Sequence, residues 1–248
     1  MTEEEKFTFD LEGYLVIKDV LSSRELDDLN ALVDEHLEGW DNDSANDLNK
    51  ISCWGAAATN LIDHAKIVPY LVELLGPRVR IDHDYAIIMN QGDNRGGLHG
   101  GPSHNGDHWF SYRDGELRNG LSVVTFFLAD ANAGDGGFAC VPGSHKTNFP
   151  AAIPPEVRSF ERPAHYVVQP AARAGDALFF TEALIHGTMP WRAPHQRRTL
   201  LYKYSPGHST WAKEFYNFEE YGELTERQKR VMATPSMNEH PDVIQANQ

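Results

Sequence analysis

The spacing of apolar residues changes character near residue 79. Upstream of it, Leu26, Leu29, Leu32, Val33 and Leu37 recur at three- and four-residue intervals, which places them on one face of a helix. Ser22-Ser23-Arg24-Glu25 carries the Ser-x-x-Glu spacing of a capping box, so that helix is expected to begin there and to pack on something larger. A second helix is expected over Lys66–Leu75, stopped by Gly76-Pro77. The segment Phe7–Val20 reads as a short strand centred on Gly13-Tyr14-Leu15-Val16-Ile17. None of these segments shows chemistry of its own; they read as covering elements.

Downstream, short apolar runs bounded by turn residues predict strands over Val79–Asn90, Leu121–Leu128, Phe138–Val141, His165–Gln169, Ala177–Phe180 and Thr199–Tyr204. Glycine-rich breaks such as Gln91–Gly97 and Asn132–Gly137 separate them. Many short strands without interleaved helices imply a sandwich or barrel. After Gly207 the chain turns polar, with one helix expected around Thr225–Met232 and a tail that wraps the domain or frays. The expected organisation is a single domain of 248 residues: a helical part over 1–78, a barrel over 79–206 and an extension over 207–248.

Composition narrows the function. With 22 Lys+Arg against 36 Asp+Glu, the formal charge is −14, and no basic stripe is available for phosphates, so nucleic acid is not expected as a partner. The acidic start Met1–Lys6 is followed by no long apolar run, so neither a membrane span nor a signal peptide is expected, and the location is expected to be cytoplasmic. Cys53 and Cys140 are the only cysteines, too few for a disulfide framework or a cysteine-rich metal site. A metal, if held, must be held by histidine and carboxylate.

Among 12 histidines, His186 has the most informative surroundings. It closes the run Gly175–Thr188, where a turn feeds an apolar strand that ends in His186-Gly187, as a barrel strand does at its mouth. Eleven positions on, Arg197-Arg198 opens the next strand, and an arginine there can grip a carboxylate through two hydrogen bonds.

At this point the chain resembles the phytanoyl-CoA dioxygenase family over about Phe7–Ser205. Four features carry the resemblance: Asp10–Ile17 before the first helix, Pro142-Gly143-Ser144-His145-Lys146, Gly175-Asp176 leading to His186-Gly187-Thr188, and the arginine eleven positions further. It implies a mainly β fold with flanking helices, a double-stranded β-helix of the jelly-roll, cupin-like kind. It also implies an oxygenase using Fe(II), 2-oxoglutarate and O2 on a small-molecule substrate. Carried onto this chain, the family's roles make His186 an iron ligand and give Thr188 and Arg197 the 2-oxoglutarate carboxylate, with Arg198 as the fallback, since adjacent strand residues face opposite ways. His145 is expected to be structural.

The other histidine ligand should follow a strand and a glycine-rich loop, which points to His99 in Leu98-His99-Gly100-Gly101. The family writes His-x-Asp there, whereas this chain has Gly101. Three explanations stand: a carboxylate from elsewhere, Glu182 or Asp107; a position left to chloride or water, as in the related halogenases; or a displaced register in which His104 or His108 is the ligand. Glu182 would lie about 13 Å from His186 on a regular strand at ~3.3 Å per residue, so ligation by both needs a bulge or loop. The expected activity is hydroxylation of a C–H bond, with chlorination as the alternative and Trp109, Tyr112 and Trp191 as candidate substrate walls. A barrel that has lost catalysis, or a cupin-type isomerase or lyase independent of 2-oxoglutarate, are the rivals.

Overall fold

The computed structural model describes residues 1–38, 48–103, 106–213 and 215–244. Its centre is a five-stranded antiparallel sheet in the order β1 (Tyr14–Ile17), β7 (Ala177–Thr181), β5 (Ser122–Phe127), β9 (Arg197–Pro206), β2 (Val79–Met89). A smaller sheet pairs β6 (Gly137–Cys140) with β8 (His186–Met189), and β3 (Phe110–Arg113) with β4 (Glu116–Asn119) makes a separate hairpin. This is the jelly-roll arrangement.

Both faces of the large sheet are covered, and strand alternation sorts side chains between two cores. Val124, Phe126, Phe179, Leu200, Tyr202 and Tyr204 pack in one core with residues of the helical layer. Val123, Phe127, Leu178, Phe180 and Leu201 pack in the other, with Phe138 and Cys140 of the small sheet. The register of β2 against β9 shifts between Ile81 and His83. This bulge reverses parity: Ile81 before it and Ala86 and Ile88 after it all join the helical core. His83, Tyr85 and Ile87 are thereby turned toward the interior between the sheets.

The helical layer consists of α1 (Glu3–Glu12), α2 (Ser23–Leu37), α3 (Ala56–Thr59) and α4 (Val68–Leu75), with α5 (Pro155–Arg158) and α6 (Glu226–Val231) further along. As expected, α2 starts at a reciprocal Ser22–Glu25 capping box, and α6 is capped in the same way by Thr225 and Gln228. Phe7–Glu12 corrects the strand reading: it is helical, part of α1, and only β1 follows the predicted course. Thr2 and Glu5 form a further capping box, and three acidic residues in the first turn favour a helix N-terminus. His165–Gln169 forms no strand either; a single bridge joins Val168 to Cys140. The C-terminal segment wraps the domain: Val243 donates to Pro77 O at 2.8 Å and is fully buried. Among the described residues no helix is long and apolar enough to cross a membrane.

Candidate active site

His99 and His186 meet through their backbones. The His99 amide donates to His186 O at 2.7 Å and the His186 amide to His99 O at 2.9 Å, an antiparallel bridge on the free side of β8. The two rings then lie side by side, with centroids 4.4 Å apart. Each ring is oriented by its own chain: His186 Nδ1 donates to Leu184 O at 2.8 Å and His99 Nδ1 to Gly97 O at 3.0 Å. Those bonds place the proton on Nδ1 and leave both Nε2 lone pairs available, the tautomer a metal requires. Burial pushes the His186 imidazole down to about 4, so it is neutral at neutral pH.

A cavity of about 420 Å³ opens beside them, lined by His83, Tyr85, Arg95, Thr125, Phe138, Phe180, Thr188, Arg197 and Leu201 among others. Arg197 is buried, its Nη1 meets only Met89 Sδ at 3.5 Å, and its Nε has no hydrogen-bond partner. Burial, reinforced by neighbouring Arg95, pulls the guanidinium down to about 10. Gly137 makes this position possible, since a Cβ there would stand 3.0 Å from Arg197 Nε. Arg95 Nη2 likewise has no hydrogen-bond partner. Arg197 has no ion pair to an acid among the described residues, and Arg95, whose charge Asp93 favours, lines the same cavity; together they make a receptor for an anion, and a dicarboxylate fits that demand. Arg198 faces the other way, to Asp34 at 2.6 Å and Asn30 at 3.1 Å on α2.

The remaining candidates separate clearly. Gly101 does not line the cavity, and a Cβ there would point at Pro150 and Ile185, 3.1 and 3.2 Å away. Asp107 accepts from Ser205 Oγ at 3.0 Å and Ser209 Oγ at 2.7 Å. His104 lies outside the described residues. His108 Nε2 stands 3.9 Å from Glu182 Oε2. Glu182 itself is not held away from His186 as a regular strand would hold it. β7 ends at Thr181, the chain turns with Leu184 N donating to Thr181 O at 2.9 Å, and Glu182 Oε2 comes within 3.7 Å of His186 Nε2. Its other oxygen pairs with Lys203 Nζ at 2.7 Å. Burial opposes ionisation of Glu182, but His186, Lys203 and His108 outweigh it and hold the carboxyl below its usual range.

None of the aromatic walls expected from the sequence lines the cavity. Trp191 is fully buried in the second core, Tyr112 is exposed on the β3–β4 hairpin, and Trp109 borders a different hollow with Leu75 and Arg78. Tyr85, His83 and Arg95 take their place, and Lys203 stands behind them beneath Tyr85. No local signal marks the first two, which the bulge in β2 turns inward. Arg95 could have been noticed as a cation in a glycine-rich loop. His145 is structural: its Nε2 donates to Asp10 O at 3.1 Å, and its ring packs so tightly on Gly13 that a Cβ there would be 2.5 Å away.

Among solved structures, HygX from Streptomyces hygroscopicus with nickel and 2-oxoglutarate bound is similar at 24% identity and TM-score 0.73, over 85% of this chain and 89% of that one. EctD from S. alaskensis with bound Fe is similar at 19% identity and TM-score 0.62, over 84% and 77%. SnoK, a non-heme alpha-ketoglutarate-dependent carbocyclase from nogalamycin biosynthesis, follows at 18% and 0.59, over 84% and 85%. The sequence matches no curated protein. The family model of phytanoyl-CoA dioxygenase (PhyH) matches residues 9–199, so this chain belongs to that family and is an iron(II)- and 2-oxoglutarate-dependent oxygenase.

Proposed function

We propose that the protein hydroxylates a C–H bond of a small molecule, with His99 and His186 holding the iron and Arg197 and Thr188 holding a carboxylate of 2-oxoglutarate. One observation carries this reading: Arg197 is buried, lacks an acidic partner among the described residues, and lines the same cavity as both histidine rings. With iron bound, the centre supplies oxidation in which O2 converts 2-oxoglutarate to succinate and CO2 and delivers one oxygen atom to the substrate. The protein's share is positional. The two Nδ1 hydrogen bonds aim the imidazoles, the arginine fixes the co-substrate, and Phe138, Phe180 and Leu201 keep that end of the cavity apolar.

Space for a substrate extends outward from His83 and Asn49, which also border a neighbouring hollow of about 530 Å³ lined by Lys50, Trp211, Lys213, Phe215 and Tyr216. Aromatic and charged groups there suit a polar substrate with apolar faces. HygX has been crystallised with nickel, 2-oxoglutarate and hygromycin B bound, which supports room in this fold for a second organic molecule besides the co-substrate. Chlorination has less support. Its premise was a coordination position vacated by Gly101, and that residue faces Pro150 and Ile185 instead.

The test is product analysis under labelled dioxygen, with succinate measured in parallel. Hydroxylation predicts one labelled oxygen atom in the product, one succinate per turnover and indifference to chloride. A chlorinated product, or an oxygen drawn from water, would overturn the proposal.

A further inference from the structure

Two imidazoles and one carboxylate on one face are the protein ligands that non-heme iron oxygenases of this kind use, leaving the other positions for co-substrate and oxygen. The carboxylate has to come from a residue that can reach the two histidines. Gly101 cannot stand in its place by backbone direction, and Asp107 is committed through both oxygens to serines.

We infer that Glu182 is the carboxylate ligand of this centre, with Lys203 positioning it. The inference rests on the reading of His99 and His186 as iron ligands. Glu182 is 3% exposed, and a carboxylate so placed is costly unless both oxygens are engaged. Lys203 faces Oε1 as an ion pair at 2.7 Å. Oε2 faces His186 Nε2 at 3.7 Å and His108 Nε2 at 3.9 Å, both too long for hydrogen bonds. The His186 ring is held through Nδ1, which donates to Leu184 O, and so turns Nε2 toward Oε2. Oε2 and His186 Nε2 therefore face one another with no hydrogen bond between them, a gap that a cation held by both would bridge.

The backbone explains why the carboxylate arrives here. The turn after Thr181 replaces the extended path that would carry Glu182 away from His186. Gly100 makes room for that turn: it sits at φ +75°, and a Cβ would stand 2.7 Å from Leu184 O, 3.0 Å from Glu182 O and 3.1 Å from His186 Nδ1. Gly100 therefore admits a ligand from the turn after β7 in place of one from its own segment.

The experiment measures Co(II) binding to the purified full chain by calorimetry and by the visible absorption of the bound ion. Variants are Glu182→Gln, which keeps side-chain volume and an acceptor for Lys203, Glu182→Ala, Asp107→Asn, His99→Ala and His186→Ala, each checked for wild-type circular dichroism. Loss of groups that merely support a ligand costs about 10–100-fold in metal affinity, so both Glu182 variants are expected to lose at least about 100-fold and to change the Co(II) spectrum. Asp107→Asn is expected to bind as wild type. Wild-type affinity and spectrum in both Glu182 variants, with binding lost in the histidine variants, would overturn the inference alone. Retained binding in the histidine variants would overturn the reading beneath it.

Discussion

A guanidinium buried without a counter-charge is costly, and Arg197 maintains that arrangement at the inner end of the cavity. Its replacement by Ala should raise the KM for 2-oxoglutarate by about 100-fold, the scale of roughly 2–3 kcal/mol lost with a buried charge-assisted pair. Lys in its place should recover little, because an ammonium cannot reproduce the planar two-bond grip. Arg198→Ala is the control: that side chain pairs with Asp34 on α2 and should leave the KM unchanged. Steady-state succinate assays decide between these outcomes. Gly100 offers a second test at this scale. A methyl group there meets Leu184 O and forces an L-residue into the left-handed region, so Gly100→Ala should destabilise the fold by about 1–3 kcal/mol and weaken metal binding as well. Chemical denaturation and Co(II) titration read the two effects separately.

Among elements, β2 does most to shape the site, and its bulge lies where Asp82 is clamped. Asp82 accepts from Arg80 Nη1 at 3.0 Å, His83 Nδ1 at 2.7 Å and the amides of Trp211 and Ala212 at 2.8 and 2.9 Å. Burial alone would raise this carboxyl, but His83 and the two amides lower it to about 2. Since the folded value lies below the unfolded one, the stabilisation is complete above about pH 4 and is lost as the pH falls toward 2; it amounts to roughly 2 kcal/mol. Asp82→Asn should therefore lower the urea midpoint at pH 7, and the gap from wild type should narrow as the pH is taken toward 3. Most strands and α2 were legible because alternation and caps are local properties of the chain, and the jelly-roll was legible through the family resemblance. Three readings failed, that of His165–Gln169 because its contact with the sheet is a single bridge from Val168 to Cys140. The Thr2–Glu5 capping box was present in the sequence, but the apolar residues that follow at Phe7 and Phe9 have the spacing of a strand as well as of a helix. The aromatic walls failed because tertiary packing, which local spacing does not report, buries Trp191 in the second core, leaves Tyr112 on the exposed hairpin and sends Trp109 to another hollow, while the bulge in β2 turns Tyr85 and His83 to the cavity. Glu182 was visible as a buried acid near His186, but its reach depended on a turn inside an apolar run that carries no glycine or proline to announce it.

For the molecule as a whole, the site is assembled from distant stretches: the loop carrying Arg95 and His99, the β7–β8 turn with Glu182 and His186, and β9 with Arg197 and Lys203. Ligands that bind only the folded chain should raise its unfolding temperature. Co(II), and then 2-oxoglutarate, at about 100 times its dissociation constant should each add about 2.7 kcal/mol, or roughly 5–10 °C per ligand for a chain of this size. Thermal denaturation of wild type and Arg197→Ala, with metal alone and with metal plus 2-oxoglutarate, should show the second increment only in wild type. The paired amides and carbonyls of His99 and His186 have a further implication for how the enzyme is handled. The separation of the two imidazoles is imposed by main-chain ladder bonds that form with the fold, so the metal is a guest in a finished frame and not a rivet that closes it. Stripping the ion with a chelator should accordingly leave a native chain that recharges at the speed of diffusion and ligand exchange, with no refolding lag and with tolerance for whichever divalent ion is supplied.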